Sequence, residues 1–358
     1  MGDQNLVSFE SIAMATCLGP VEHLKEKVVT SLLFLPLYSS NPILLKASCW
    51  LIMAHADDNV EYEEEFIENQ RGARLFTCRF VQRNVEPKAL IFLCHGYGSE
   101  CSISMRDIAT RLAKAGYAVR GVDYEGHGKS SGLRGYISSF DDLVSDCSDY
   151  FMSVCERREN KKKPRYLFGL SMGGAVALLL HLKAPTYWSG AVLVSPMCKI
   201  DEKMKPHPLV ISILKKLCSI IPTWKMIPAK DMIDIAIKDP EKRQEVRSNP
   251  YNYRGNLRLG TGHELLKVSL AIERNLHQVT LPFLVMHGGD DKIFDPSSSE
   301  LLYKSASSTD KTFKVYDGMW HAFTFGEAPE RVELVFSDMV AWLEQRTMKT
   351  VVAQEASC

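Results

Sequence analysis

The sequence predicts an α/β fold, a mostly parallel sheet with helices on both faces and a helical lid inserted between two late strands. Three observations carry this. Short uninterrupted apolar runs recur, as in "ALIFLCHG", "RYLFGLS", "GAVLVSP" and "LPFLVMHGG", which is how parallel strands buried on both faces read. Helical patterns separate these runs, and strand–helix alternation builds a parallel sheet. One stretch, roughly 197 to 279, breaks the alternation with several prolines and an irregular "YNYRGNLRLGTG" loop.

The elements follow in order. Residues 28 to 45 carry no charge, but Pro36, Pro42 and Ser39-Ser40-Asn41 interrupt them, and a membrane span needs about 20 mostly apolar residues. Gly2 is followed by Leu6 where a myristoylation signal needs Ser or Thr. Residues 1–60 are therefore expected as an N-terminal extension that docks at a membrane surface. From Glu63 to Gln82 a hairpin is expected, turning at "QRGARL" into the alternating strand "FTCRFVQ". "ALIFLCHG" is the first parallel strand, followed by a helix from Ile103 to Ala115 closed by Gly116. "YAVRGVDYEG" is the next strand. A helix then starts near Phe140, with Ser139 and Asp142 spaced as a capping box.

"RYLFGLS" and "GAVLVSP" flank a helix over 172–184. In the inserted region Val210, Ile213, Leu214, Leu217 and Ile221 recur at helical spacing. An insertion just past a strand's C-terminal end lies where open α/β sheets bind ligands, so the region is expected to be a lid. "LPFLVMHGG", a helix over 297–306, "TFKVYDG" and an amphipathic helix over 331–347 complete a core domain spanning 61–347, with 348–358 as a tail.

The 358 residues exceed the roughly 250–300 at which a single core stops growing, which fits one large domain carrying a subdomain. Lys+Arg and Asp+Glu both total 43, so no net field favours nucleic acid. Ten cysteines without CxxC pairs, and no Asn-x-Ser/Thr acceptor, fit a reducing, cytoplasmic compartment better than secretion.

The chemistry concentrates at Gly169-Leu170-Ser171-Met172-Gly173, a GxSxG run between a strand and a helix, the context of a nucleophile elbow. A serine needs a base, and the base an orienting acid. "VYDGMWHAF" supplies His321, the one histidine beyond His287. "VMHGGDDKIFDP" supplies Asp290, Asp291 and Asp295, and the pattern leaves the acid open between the adjacent Asp290 and Asp291. "CHGYGSE" offers a loop whose Tyr97 amide, with that of Met172, can hold an oxyanion. His95 is expected to brace that loop rather than act as a base. "GHGKSSG" imitates a phosphate loop, but Asp123 stands where its first glycine should be.

Together these residues resemble the monoacylglycerol lipase family of α/β-hydrolases, in its plant branch of monoacylglycerol lipases, lysophospholipase-like proteins and caffeoylshikimate esterase. The motifs are "HGYGSE", "DYEGHGKSSGLRGYI", "GLSMGGAVALLL", "PMCKIDEKMKPHP", "IKDPEKR", "LPFLVMHGGDDKIFDP" and "GMWHAF", from about Glu63 to Thr347. The resemblance implies Ser171 as nucleophile, Asp291 as acid, His321 as base, oxyanion amides at Tyr97 and Met172, a lid within 197–279, and no metal or organic cofactor. Many relatives have glycine after the base, whereas Ala322 and Phe323 follow it here, which is expected to narrow the pocket. The expected function is a serine ester hydrolase acting on monoacylglycerols or lysophospholipids, with peripheral membrane contact as a further partner. The alternatives are a hydroxycinnamoyl esterase, whose shikimate carboxylate Lys199, Lys203, Lys205 and Arg258 could meet, an acyltransferase, and a non-catalytic receptor on the same fold.

Overall fold

Local turn chemistry starts the sheet. β1 (Val60–Glu68) and β2 (Arg74–Gln82) form an antiparallel pair with Phe66 opposite Phe76. Between them Gly72 adopts φ +78°, and the Asn69 side-chain oxygen accepts from the amides of Arg71 and Ala73. This computed structural model describes residues 59–199, 215–225 and 232–355; the expected extension lies outside them apart from its last two residues.

β2 runs antiparallel to β4 (Ala118–Val122). From there β3 (Leu90–Cys94), β5 (Arg165–Leu170), β6 (Gly190–Val194), β7 (Phe283–Gly288) and β8 (Lys311–Tyr316) are parallel, in the order β1-β2-β4-β3-β5-β6-β7-β8. The predicted mostly parallel sheet, with antiparallel strands at one edge, is the one found. β3 and β5 at its centre are almost entirely buried.

Strand pleating divides the core into two faces. Leu90, Phe92 and Cys94 of β3 join one apolar cluster, and Ile91 and Leu93 join the other, the period-2 alternation that any strand imposes. α1 (Arg106–Lys114) and α8 (Pro329–Glu355) cover the Ile91 side with Ile108, Leu112, Phe336 and Met339. α2 (Phe140–Cys155) and α3 (Met172–Lys183) cover the Phe92 side. The predicted cap on α2 forms, with Ser139 Oγ accepting from the Asp142 amide at 3.1 Å.

Two helix boundaries differ from expectation by more than two residues. α1 begins at Arg106 rather than Ile103, because the Glu100 carboxylate accepts from the amides of Ser102, Ile103 and Ser104 and holds them in a turn. α8 runs to Glu355 instead of stopping at Thr347. No glycine or proline follows Thr347 to break it, so most of the expected tail is helical.

Between β6 and β7 the described residues form α4 (Met232–Ala236), α5 (Pro240–Ser248) and α6 (Leu259–Asn275), and α7 (Ser297–Ser305) follows β7. α5 starts where the Asp239 side chain accepts from the Glu241 amide, with Pro240 at the first helical position. α6 anchors the insertion on the core through Val268 and Ile272. Of the expected helix around Val210–Ile221, Val210, Ile213 and Leu214 lie outside the described residues. Residues 215–218, which include Leu217, are helical.

Phe92 is fully buried, with Phe151 at 4.6 Å and Trp188 at 5.8 Å between ring centroids. Phe92→Ala is therefore expected to lower unfolding free energy by about 3–5 kcal/mol, read from urea denaturation followed by tryptophan fluorescence.

Candidate active site

Ser171 stands alone between β5 and α3 with φ 57° and ψ −118°, a conformation costing a non-glycine residue on the order of 1–3 kcal/mol. Three backbone bonds over-determine it. Its amide donates to Val194 O (3.0 Å), and its carbonyl accepts from Met197 (2.9 Å) and Gly174 (2.9 Å). The glycines of the motif are a packing requirement. A methyl on Gly173 would lie 1.8 Å from Cys94 O, and one on Gly169 would lie 2.6 Å from Gly173 O. Met172 provides the first amide of α3, which has no intrahelical acceptor and sits at the positive end of the helix dipole.

The chain leaving β3 passes directly beside this turn. A methyl built on Gly96 would be 3.5 Å from Ser171 Cβ and 4.0 Å from its Oγ. His95 is completely buried. Its Nδ1 lies 2.8 Å from Gly96 O and its Nε2 accepts from the Tyr124 amide at 3.2 Å. A carbonyl can only accept, so the proton resides on Nδ1. Burial, aided by nearby His127, pushes His95 down to about 3, so the neutral ring braces the loop, as its sequence position suggested. Tyr97 is tied down at its far end, its hydroxyl donating to Gly135 O at 2.9 Å.

Beneath this loop lie two buried carboxyl groups that sequence reasoning did not single out as a pair. Glu100 accepts from Ser102 Oγ (2.6 Å) and Asn249 Nδ2 (2.9 Å) besides the three amides. Asp123 accepts from the amides of Cys101 (2.8 Å) and Lys129 (2.9 Å). "GHGKSSG" is thus a tight turn wrapped on Asp123. Burial and the neighbouring Glu100 push Asp123 up to about 8.

The remaining groups arrive from the loops after β7 and β8. His321 Nδ1 lies 2.7 Å from Asp291 Oδ2. The Asp291 side chain is buried, whereas Asp290 is exposed. Burial works to raise Asp291, but hydrogen bonds from His287 and His321 and their charge hold its carboxyl well below the usual range. Its Oδ1 accepts from the amides of Ile293 (2.7 Å) and Phe294 (3.1 Å). Among the described residues Ser171 Oγ makes no hydrogen bond to His321; such contacts commonly tighten only with substrate bound. Also among the described residues, no group of three His, Cys, Asp or Glu side chains could hold a metal ion.

The insertion is bonded to the His321 loop. The Ala322 amide donates to Ala236 O (2.9 Å) and the Asp239 amide to Gly326 O (3.1 Å). Phe323 does not narrow a pocket near the base. It is fully buried and packs on Tyr316 at 5.5 Å in the core under α8, because the chain turns inward after Ala322. Of the cations that could meet a substrate carboxylate, Arg258 is buried and donates to the carbonyls of Arg134 (3.1 Å) and Thr223 (2.6 Å). Lys199 lies 3.7 Å from Glu273. Lys203 and Lys205 are outside the described residues.

A family model, Hydrolase_4, described as serine aminopeptidase, S33, matches residues 85–328. Caffeoylshikimate esterase of Arabidopsis thaliana is 36% identical over 296 residues, 82% of this chain and 89% of that protein. Monoglyceride lipase of Mus musculus is 31% identical over 303 residues, 84% of this chain and 95% of that protein. Among solved structures, a soluble variant of monoglyceride lipase from Saccharomyces cerevisiae, in complex with a substrate analog, superposes with a TM-score of 0.71 at 22% identity, covering 81% of this chain and 97% of that one. At that identity the likeness speaks for the fold.

The Asp123 environment sets a pH dependence with a definite sign. The folded state keeps this proton up to about pH 8, while an unfolded aspartate releases it near 4. The stability it contributes is complete below pH about 4 and is lost as pH rises toward 8. Asp123→Asn, neutral throughout, is expected to remove that part of the slope. Urea midpoints of wild type should gain on those of the variant as pH is lowered from about 8 to about 5.

Proposed function

The chain belongs to the Hydrolase_4 family, and on that premise we propose that it is a serine carboxylic-ester hydrolase acting on monoacylglycerols or lysophospholipids. The observation that carries the reading is the strained Ser171 at the β5–α3 turn, on the same sheet end as the 2.7 Å Asp291–His321 pair. Ser171 Oγ attacks the ester carbonyl carbon while His321 Nε2 takes its proton. His321 is free to do so at Nε2 because Nδ1–H is engaged by Asp291, which also stabilises the imidazolium. The tetrahedral oxyanion accepts from the amides of Tyr97 and Met172, each worth about 10²–10³ in rate. The proton passes to the departing alcohol. Water, deprotonated by His321, then attacks the acyl-enzyme, releasing the fatty acid and returning the proton to Ser171. The chemistry asks for no cofactor.

The insertion acts as the lid over the acyl chain. Its exposed Ile220 and Trp224, beside exposed Lys215, Lys216 and Lys225, make an apolar and basic patch of the kind that rests at a lipid interface. This supports peripheral membrane contact. Among the described residues no helix is long and apolar enough to cross a membrane. The second reading, a caffeoylshikimate-type esterase, is favoured by the 36% identical relative. It is weakened by Arg258, whose donors already serve two carbonyls.

Two experiments test these assignments. Ser171→Ala is expected to lose about 10⁶-fold in kcat, and wild type to release glycerol from 1-monoacylglycerol faster than caffeate from caffeoylshikimate. An active variant would sink the mechanism, and faster caffeate release would transfer the same mechanism to the second substrate. The double variant Ile220→Ser, Trp224→Ser is expected to co-sediment several-fold less with phosphatidylserine-containing vesicles while hydrolysing a soluble p-nitrophenyl ester at the wild-type rate.

A further inference from the structure

His287 belongs to β7, a strand whose residues are all buried. A fully buried imidazole in a strand needs partners for both nitrogens, and here one of them is the Asp291 carboxylate. Nε2 lies 3.0 Å from Phe294 O and 3.1 Å from Asp291 Oδ2. Both are acceptors, so Nε2 carries a proton and shares it between them. Nδ1 lies 2.7 Å from Ser299 Oγ, itself fully buried at the start of α7, and accepts from that hydroxyl when the ring is neutral. Asp291 Oδ2 therefore stands between two imidazoles, His287 on one side and His321 at 2.7 Å on the other.

We infer that His287, with its ring set by Ser299, is a positioning residue that fixes Asp291 and tempers its pull on His321. The inference rests on the proposed roles of Ser171, Asp291 and His321. With Oδ1 held by the Ile293 and Phe294 amides and Oδ2 by His287, the carboxylate has one orientation, and that orientation presents Oδ2 to His321. The second effect is electronic. A donor on the same oxygen that serves His321 withdraws charge from it, so the protonated form of His321 is less favoured than it would be against a singly bonded carboxylate. The titratable groups facing Asp291 are His287 from β7 and His321 from the loop after β8; Asp290 and Lys292 flank it in the chain.

His287→Leu fills the space without a donor, and His287→Gln keeps an N–H within reach of Oδ2. Both are to be measured on a soluble p-nitrophenyl ester across pH about 5 to 9, alongside thermal melts, with Ser171→Ala as the blank. His287→Leu is expected to lose about 10- to 100-fold in kcat at little-changed KM and to move the acidic limb of kcat/KM to higher pH; His287→Gln should recover most of both. A wild-type rate in His287→Leu, a loss with the limb unmoved, or no recovery in His287→Gln would overturn the inference. Should His287→Leu not fold, Ser299→Ala is expected to move the limb in the same direction by less, and a wild-type profile there would overturn it equally. Activity in Ser171→Ala would instead defeat the proposed function, whatever the His287 variants do.

Discussion

The approach of Gly173 to the carbonyl of Cys94 sets the geometry of the whole site. The β5–α3 turn presses so closely on the end of β3 that a single methyl there would sit 1.8 Å from that oxygen. Because Cys94 pairs in register with Gly169, the chain emerging from β3 must pass beside Ser171. The Gly96 loop and the first amide of α3 thus reach the same point from two neighbouring strands. The strained backbone of Ser171 is borne by the backbone bonds to Val194 and Met197. Strain held by a rigid sheet keeps the hydroxyl proud of the surface without side-chain help.

The other participants come from loops, and loops need their own fixation. His95 fixes one by bonding backbone at both nitrogens. Asp123 and Glu100 hold the ground beneath it. Asp291 is bound through both oxygens, and the loop carrying His321 is bonded to the insertion through Ala236 and Gly326. Whatever alters the pose of α4 is therefore transmitted to the residue beside His321. The insertion and the loop that carries His321 are mechanically joined in this chain.

Sequence reasoning read the central strands well because burial on both faces leaves an unmistakable apolar run. The strand–turn–helix setting of Gly169–Gly173 was legible for the same reason. Asp290 and Asp291 could not be separated by pattern, since adjacent residues differ only in which way the turn points them, and the bonds from Ile293 and Phe294 decide that. Phe323 escapes pattern reading because a residue after a site histidine can face pocket or core, and only the turn after β8 that seats it on Tyr316 decides which. His287 lay in plain view within "VMHGGDD", yet its partner Ser299 sits on the following helix. Amphipathic periodicity fades near Thr347 while no breaker follows it, so pattern alone does not place the end of α8.

Among the described residues β1 forms one edge of the sheet, where unpaired N–H and C=O groups would template pairing with another chain. Of its nine residues five are exposed glutamates, Glu61, Glu63, Glu64, Glu65 and Glu68. Arg79 and Lys129 neutralise part of that charge within the molecule, and the remainder faces outward. Two such edges meeting would align like charges along their whole length. A nine-residue strand open to edge-to-edge pairing thereby carries the like charge that opposes it.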